Sequence, residues 1–281
     1  MKRILVTGAN GYLGRGIVHE LSKHDVQIAA VDRSFDGTSW NDNVEEYPMN
    51  LFEEDDIFEK TGKPDVLLHL AWRDGFYHFS DAHLDDLPKH YKFIENMIDS
   101  GVKQVCVLGS MHEVGFYEGS IDENTPTNPL SLYGISKNAL RQATMLAAKS
   151  KDIVFQWIRG FYIVGNTEYG NSVFSKITQA EKRGDKLFPF TMGMNQFDFI
   201  DYDIFCQQVV AVVMQQEVTG IINCCSGTPE RIKERVSRFI EENGYSIKLD
   251  CGAFPDRPYD SKAVWGSTRK IDAIMSHSQK T

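Results

Sequence analysis

Through the first half of the chain, short apolar runs alternate with stretches whose apolar residues recur at helical intervals. Ile4-Leu5-Val6 is a β-branched run that ends in glycines, and Leu13, Ile17, Val18 and Leu21 then mark a helix from about Tyr12 to Ser22. Val26 to Val31 predicts the second strand. Val66-Leu67-Leu68-His69-Leu70 predicts the third, behind the breaker Lys63-Pro64-Asp65. Tyr91 to Ile98 reads as helix, with Gly101 as its stop. Val105-Cys106-Val107-Leu108 is a fourth strand, Leu132 to Ala148 a long helix, and Val154-Phe155-Gln156-Trp157-Ile158 a fifth strand. Strands alternating with helices predict an α/β fold, a doubly wound parallel sheet covered on both faces.

After Arg159 the rhythm breaks. Gly165-Asn166 and Tyr169-Gly170-Asn171 predict loops, Lys176 to Arg183 a helix, and short mixed segments follow. The expected organisation is a main domain over residues 1–160 and a smaller mixed α/β lobe over 161–281 that covers the substrate. Segments such as Gly220-Ile221-Ile222-Asn223-Cys224 are expected to return to the main sheet, so no clean cut separates the two.

Composition narrows the class. The chain has 281 residues, 42% hydrophobic and 25% charged, enough for a sizeable core. Lys and Arg number 30 against 39 Asp and Glu, a net charge of −9, which argues against nucleic acid as a partner. No apolar run approaches the roughly 20 residues of a membrane span, so no membrane partner is expected. The first strand begins at Arg3, which predicts no signal peptide. The five cysteines form no CxxC pair and show no metal spacing. They read as small buried hydrophobes of a cytoplasmic protein, and no metal site is expected.

The chemistry begins at Thr7-Gly8-Ala9-Asn10-Gly11-Tyr12-Leu13-Gly14, between the first strand and the first helix. This GxxGxxG is a relative of the GxGxxG fingerprint. Its glycines permit a tight turn and let the backbone approach a pyrophosphate, while the helix N-terminus supplies N–H donors. Asp32 ends the second strand, 18 residues past Gly14, where an acid binds the adenosine ribose. A carboxylate there accepts the ribose hydroxyls and repels a 2′-phosphate, which favours NAD. Arg33 follows at once and could hold a 2′-phosphate, so NADP stays open. Residues 1–160 thus read as a dinucleotide-binding domain.

Tyr133-Gly134-Ile135-Ser136-Lys137 opens the long helix. The i,i+4 spacing puts both side chains on one face, about 5–6 Å apart at their β-carbons. An ammonium beside a phenol favours the phenolate, so Lys137 is expected to lower the pKa of Tyr133 and make it an acid–base group.

These motifs resemble the extended short-chain dehydrogenase/reductases, also called the NAD-dependent epimerase/dehydratase family, over nearly the whole chain. His69-Leu70-Ala71-Trp72 is similar to the family's strand-end segment against the cofactor. Asn50-Leu51 resembles its Asp-Leu adenine contact, with Asn substituted. Arg159-Gly160-Phe161-Tyr162-Ile163-Val164-Gly165 is similar to the turn after its fifth strand. Phe197-Asp198-Phe199-Ile200-Asp201-Tyr202-Asp203 resembles Arg-Asp-Phe-Ile-x-Val-Asp-Asp, and Arg257-Pro258-Tyr259-Asp260 resembles Arg-Pro-Gly-Asp. The resemblance implies a Rossmann-type fold and a nucleotide-sugar substrate. It places Gly8, Asn10, Gly11, Tyr12, Leu13, Gly14, Asp32, Arg33, Asn50, Leu51, Leu70, Ala71, Trp72, Tyr133 and Lys137 around NAD. It also implies a homodimer built through long helices, for which Leu84–Ser100 and Leu132–Ala148 are the candidates.

Two departures matter. Aligned through Val114, Met111 takes the position of the family's catalytic Ser/Thr and has no hydroxyl. Ser110, one residue earlier, is the candidate replacement, with His112 as a second, substrate-contacting candidate; a strand-end cap is the alternative role for Ser110. Glu113 coincides with the glutamate of sugar dehydratases, but His112 replaces their aspartate, which disfavours elimination of water. The second departure is Phe197, where the family often carries an arginine for the substrate's phosphates. Arg257 remains as the cationic clamp.

Other features read as structural. His69 is expected to be a packed strand residue, and Glu53-Glu54-Asp55-Asp56 a solvated helix start. Trp72, Phe76, Tyr77 and Phe79 are candidate pocket walls. Absent Ser-His-Asp and phosphate-loop signatures leave hydrolysis and phosphoryl transfer unsupported. The expectation is an NAD(P)-dependent reductase of a nucleotide-linked 4-keto-6-deoxy sugar, such as a dTDP-4-dehydro-6-deoxyglucose 4-reductase, making a sugar donor for surface polysaccharide. The rivals are a nucleotide-sugar 4-epimerase and a non-catalytic dinucleotide sensor that lost its chemistry at Met111.

Overall fold

The apolar runs of the first half become the centre of a seven-stranded parallel sheet. The computed structural model describes residues 1–165, 171–255 and 261–278. In chain order the first half forms β1 (Lys2–Thr7), α1 (Tyr12–Leu21), β2 (Val26–Asp32), β3 (Val44–Pro48), α2 (Ile57–Lys60), β4 (Val66–His69) and α3 (Ala82–Ser100). It continues with β5 (Gln104–Ser110), β6 (Gly119–Ile121) and α4 (Leu132–Ser150). The second half adds β7 (Val154–Gly160), β8 (Tyr162–Val164), α5 (Val173–Arg183), β9 (Leu187–Phe190), β10 (Gln196–Asp201) and α6 (Tyr202–Met214). Last come β11 (Gly220–Cys224), β12 (Pro229–Arg231), α7 (Ile232–Glu242), β13 (Lys248–Cys251), β14 (Ala263–Gly266) and α8 (Arg269–Ser278).

The main sheet has the order β11-β7-β5-β4-β1-β2-β3. Ile4, Leu5 and Val6 pair with Ile28, Ala29 and Ala30 on one side and with Val66, Leu67 and Leu68 on the other, all of them buried. Successive side chains point to opposite faces, so Ile4, Val6, Ile28 and Leu68 pack with α1 and α6, while Leu5, Ala29, Leu67 and Val105 pack with α3 and α4. Both faces are covered, which is why these strands are apolar without alternation. The strand order reverses between β1 and β4, and the carboxyl ends of the strands open a crevice at that switch point.

The remaining strands make the smaller mixed unit. β10 pairs antiparallel with β12 and parallel with β8 and β14, and β14 continues to β6. β9 and β13 form a separate parallel pair. Phe174, Phe190, Phe199 and Phe239 make the core of this lobe. Asp198 is fully buried in β10, where its carboxylate accepts the amides of Ser226 (2.8 Å), Gly227 (2.9 Å) and Gly266 (2.9 Å) and the Ser226 hydroxyl (2.7 Å). It stitches β10 to the turn after β11 and to β14. Gly220–Cys224 pairs with β7 at the edge of the main sheet.

Helix α3 starts at Ala82, well before Tyr91. Its buried face in the first turns is His83, Asp86 and His90, polar residues that leave no apolar period to read, and it runs through Pro88. Helix α5 begins at Val173 rather than Lys176 because the Ser172 hydroxyl accepts the Ser175 amide at 3.0 Å and caps it. Glu53, Glu54, Asp55 and Asp56 are exposed just before α2.

Candidate active site

The glycine turn closes because three positions lack a Cβ. Gly8 has φ +71°, and a Cβ there would stand 2.7 Å from the Ala71 backbone; one at Gly14 would stand 2.1 Å from the Gly8 carbonyl. Gly11 is the N-cap of α1 and brings no side-chain cap, so the first-turn amides of Tyr12 and Leu13 have no side-chain acceptor from the cap. This is a cradle for an anionic group at a helix N-terminus. Asp32 is held by the amides of Asn10 (2.9 Å) and Arg33 (2.7 Å), which aim its carboxylate at the rim. The cleft that follows has a volume of about 1180 Å³ and is lined by Gly8, Gly11, Tyr12, Leu13, Gly14, Asp32, Arg33, Asn50, Leu51, Leu70, Ala71 and Trp72. Asn10 is the exception. Its side chain turns to the Ser34 carbonyl (2.8 Å) and to Arg15 (2.8 Å), so it shapes the turn instead of lining the cleft. The residues fit a dinucleotide such as NAD: the glycine turn would face its pyrophosphate and Asp32 its adenosine ribose.

The same cleft holds the candidate chemistry. Ser131 caps α4 by accepting the Gly134 amide at 3.1 Å, and a Cβ at Gly134 would lie 2.4 Å from the His112 carbonyl. The start of α4 thereby abuts the short turn Met111–Glu113 at the end of β5. Ser110, His112, Tyr133 and Lys137 all line the cleft. Met111 does not; it is buried with Val114, Ile121 and Phe161. Ser110 accepts the His112 amide (3.3 Å) as a cap and lines the cleft with Tyr133.

The electrostatics correct one expectation. Burial pushes the Tyr133 phenol up to about 12; the Ser110 hydroxyl opposes this and the Glu113 carboxylate adds to it. Lys137 does not lower it. Burial drives Lys137 itself down to about 7, against the pull of Glu113. Its Nζ donates to the Leu108 carbonyl at 2.8 Å and lies 5.9 Å from the Tyr133 ring centroid but only 3.8 Å from that of Trp72. Spacing on one helix face set the pair's proximity; the partners supplied by β5 and by the segment after β4 set where the amine points. The phenol is held protonated, the form a general acid needs.

Glu113 is sealed away from the cleft. Its Oε1 accepts the Ser110 amide (2.6 Å) and the Trp157 indole N–H (2.8 Å), and Oε2 faces Arg141 (3.4 Å) and Arg159 (3.5 Å). A Cβ at Gly109 would collide with Trp157 and Glu113 at 2.0 and 2.6 Å, so glycine is what admits this buried cluster. The position shared with dehydratases is here a structural ion pair.

Several residues have roles that motif spacing did not show. His78 stacks on Tyr133 with centroids 5.0 Å apart, and its carbonyl accepts the Tyr133 amide at 3.0 Å. Thr7 Oγ1, the His69 ring and the His90 ring form a chain of 2.8 Å hydrogen bonds, both imidazoles being driven well down by burial, His90 to about 3. The Tyr202 hydroxyl donates to the Tyr12 carbonyl and accepts the Gly16 amide at 3.1 Å, tying the start of α6 to the glycine-turn helix. The only hint of any of these was the density of aromatic residues after β4. Phe76 and Tyr77 line the cleft with Trp72, whereas Phe79 is 75% exposed and does not. Phe197 lines the cleft and Arg257 lies outside the described residues. Among the described residues no group of His, Cys, Asp or Glu could hold a metal ion, and no helix is long and apolar enough to cross a membrane.

A switch-point crevice, a glycine turn and a Tyr/Lys/Ser cluster at its floor define a dinucleotide-dependent enzyme of the short-chain dehydrogenase/reductase type. The chain belongs to the NAD dependent epimerase/dehydratase family, whose model matches residues 4–225. It is 39% identical over 270 residues, 94% of this chain and 99% of the relative, to the dTDP-6-deoxy-L-talose 4-dehydrogenase (NAD(+)) of Aggregatibacter actinomycetemcomitans. It is 22% identical to the GDP-6-deoxy-D-talose 4-dehydrogenase of the same organism, over 99% of this chain and 92% of that one. The UDP-glucuronic acid 4-epimerase of Bacillus cereus, solved with UDP-glucuronic acid and NAD, superimposes with a TM-score of 0.81 at 18% identity, covering 98% of this chain and 93% of that chain. That likeness shows the shared fold.

Proposed function

We propose that the chain is an NAD-linked reductase of a nucleotide-linked 4-keto-6-deoxy sugar, with NADPH as a possible substitute for NADH. The observation that carries this reading is the Tyr133 phenol on the floor of the cleft, held in its protonated form by desolvation, with Ser110, His112 and Lys137 lining the same cleft. Reduction of a ketone needs a proton at its oxygen, and a phenol held in the acid form supplies one. Bound NADH supplies the hydride. Ser110 donates a hydrogen bond to the carbonyl oxygen and orients it beside Tyr133. Tyr133 passes its proton to that oxygen, and the Lys137 ammonium stabilises the phenolate left behind. Glu113 is enclosed by Arg141, Arg159 and Trp157, away from the cleft, which disfavours a dehydratase because elimination of water needs an acid and a base placed together. The extensive likeness to a dTDP-6-deoxy-L-talose 4-dehydrogenase supports a 4-keto/4-hydroxy exchange on a 6-deoxy sugar.

The lobe from residue 161 onward is the substrate-binding part in this reading, with Tyr162, Phe174, Phe197 and Phe199 on its side of the cleft and His112 facing them from β5's end. We place the enzyme in the cytoplasm as a homodimer joined through the outer faces of α3 and α4, where Leu84, Ile135 and Leu146 are exposed. The test is a screen of 4-keto-6-deoxy sugar nucleotides with NADH and with NADPH, read as loss of reduced cofactor. Tyr133→Phe, which keeps the ring stacked on His78, is expected to lose roughly 10²–10⁴-fold in kcat. No oxidation of either cofactor with any of these sugars overturns the proposal, and turnover without net cofactor consumption would make the chain a 4-epimerase.

A further inference from the structure

The segment after β4 puts an indole where the Tyr/Lys pair needs its amine. Lys137 Nζ lies 3.8 Å from the Trp72 ring centroid, well inside the range of a cation–π contact and nearer than the 5.9 Å to the Tyr133 ring. The indole is itself held firmly. Its N–H donates to His83 Nδ1 at 3.1 Å, and the other His83 nitrogen meets the Tyr77 carbonyl at 3.0 Å. The His90 ring stacks on it at 4.5 Å and 14°, and His90 is anchored through His69 to Thr7 at the end of β1. A rigid line of contacts thus runs from the glycine-turn strand to Lys137.

We propose that Trp72 is the positioning residue of Lys137, its π face holding the ε-ammonium over the cleft floor and favouring the charged amine. The Leu108 carbonyl takes one Lys137 N–H, which leaves two donors for the cleft, and the indole fixes their direction without competing for them. Among the described residues, the other ionisable groups that act on the amine are these. Glu113 from the turn after β5 raises its pKa, His90 of α3 and His69 of β4 are electrostatically coupled to it and neutral, and Tyr133 is a protonated phenol. Burial works against the ammonium, so a contact that prefers the cation has a measurable effect here.

The inference takes from the proposed function only that Lys137 acts in this cleft, and its test needs no substrate. Protein carrying 13C-labelled lysine is titrated by NMR in the absence of dinucleotide, with K137M identifying the Lys137 signal. The ε-methylene of Lys137 is expected to be displaced by the indole ring current. In W72L that displacement disappears and the midpoint falls by about one pH unit, the scale of a desolvated cation–π contact. W72F is expected to restore much of the midpoint. Because W72L removes a large side chain, 5-fluorotryptophan and then more heavily fluorinated tryptophans are introduced biosynthetically into the unmutated protein. Fluorination weakens the π face with little change of shape, so the midpoint is expected to fall stepwise. A midpoint unmoved by fluorination, or a displaced signal that persists in W72L, overturns the proposal. Failure of the sugar screen with these shifts intact would count against the proposed function alone, and the converse result against Trp72 alone.

Discussion

Removing the Glu113 carboxylate separates architecture from chemistry at the position this chain shares with dehydratases. The carboxylate is fully buried, accepts two hydrogen bonds of 2.6 and 2.8 Å and stands 3.4–3.5 Å from two guanidinium groups. Glu113→Gln keeps the shape and one acceptor but leaves Arg141 and Arg159 without a countercharge. Breaking such a buried pair from one side costs about 3–5 kcal/mol, which for a chain of this size lowers Tm by roughly 6–10 °C. The assay is thermal unfolding followed by circular dichroism, paired with turnover measured far below the melt. The rate is expected to stay within about tenfold of the unmutated protein, below the 10²–10⁴-fold loss that marks a proton-transfer group. An unchanged melting point with a hundredfold loss of rate would refute the reasoning and return Glu113 to the reaction.

Gly14→Ala forces a Cβ to 2.1 Å from the Gly8 carbonyl, so the glycine turn must shift to admit it; dinucleotide binding by calorimetry should weaken at least tenfold and Tm should fall. Lys137, pushed down to about 7, should give the reduction a rate that falls as pH rises through neutrality, and Lys137→Arg, charged throughout, should flatten that limb. Because the folded pKa lies below the unfolded 10.5, the unfolded state binds more protons from about pH 7 to 10; this residue's contribution to stability therefore rises with pH across that window, and Lys137→Met should remove the slope in denaturant titrations. Glutamate at both Ile135 and Leu146 should convert a dimer to monomers in sedimentation velocity without lowering Tm, and a mass unaffected by the pair would exclude α3 and α4 as the interface.

Much of this protein was legible along the chain because its signals are local. Residues such as Ile4-Leu5-Val6 are apolar on both faces, so the strand and its double burial could be read together. The glycine turn could be read because a positive φ at Gly8 and a forbidden Cβ at Gly14 are properties of those residues and their neighbours. The Tyr133–Lys137 spacing is one turn of one helix. What escaped was everything made by elements that meet only after folding. The first turns of α3 present histidines and an aspartate inward, so no hydrophobic period announced them. His78 reaches Tyr133 from a loop, Trp72 reaches Lys137 from the end of β4, and Glu113 meets Arg159 from the neighbouring strand. The direction of the Tyr133 pKa followed the same division. Spacing placed an amine within a turn of the phenol, but desolvation sets the direction of the shift, and desolvation depends on how completely β5, α4 and the segment after β4 exclude water from the cleft floor. The sequence determined which groups are present and which share a face; only the tertiary structure decided which of them are charged, because charge in a protein is governed by the solvent that packing removes.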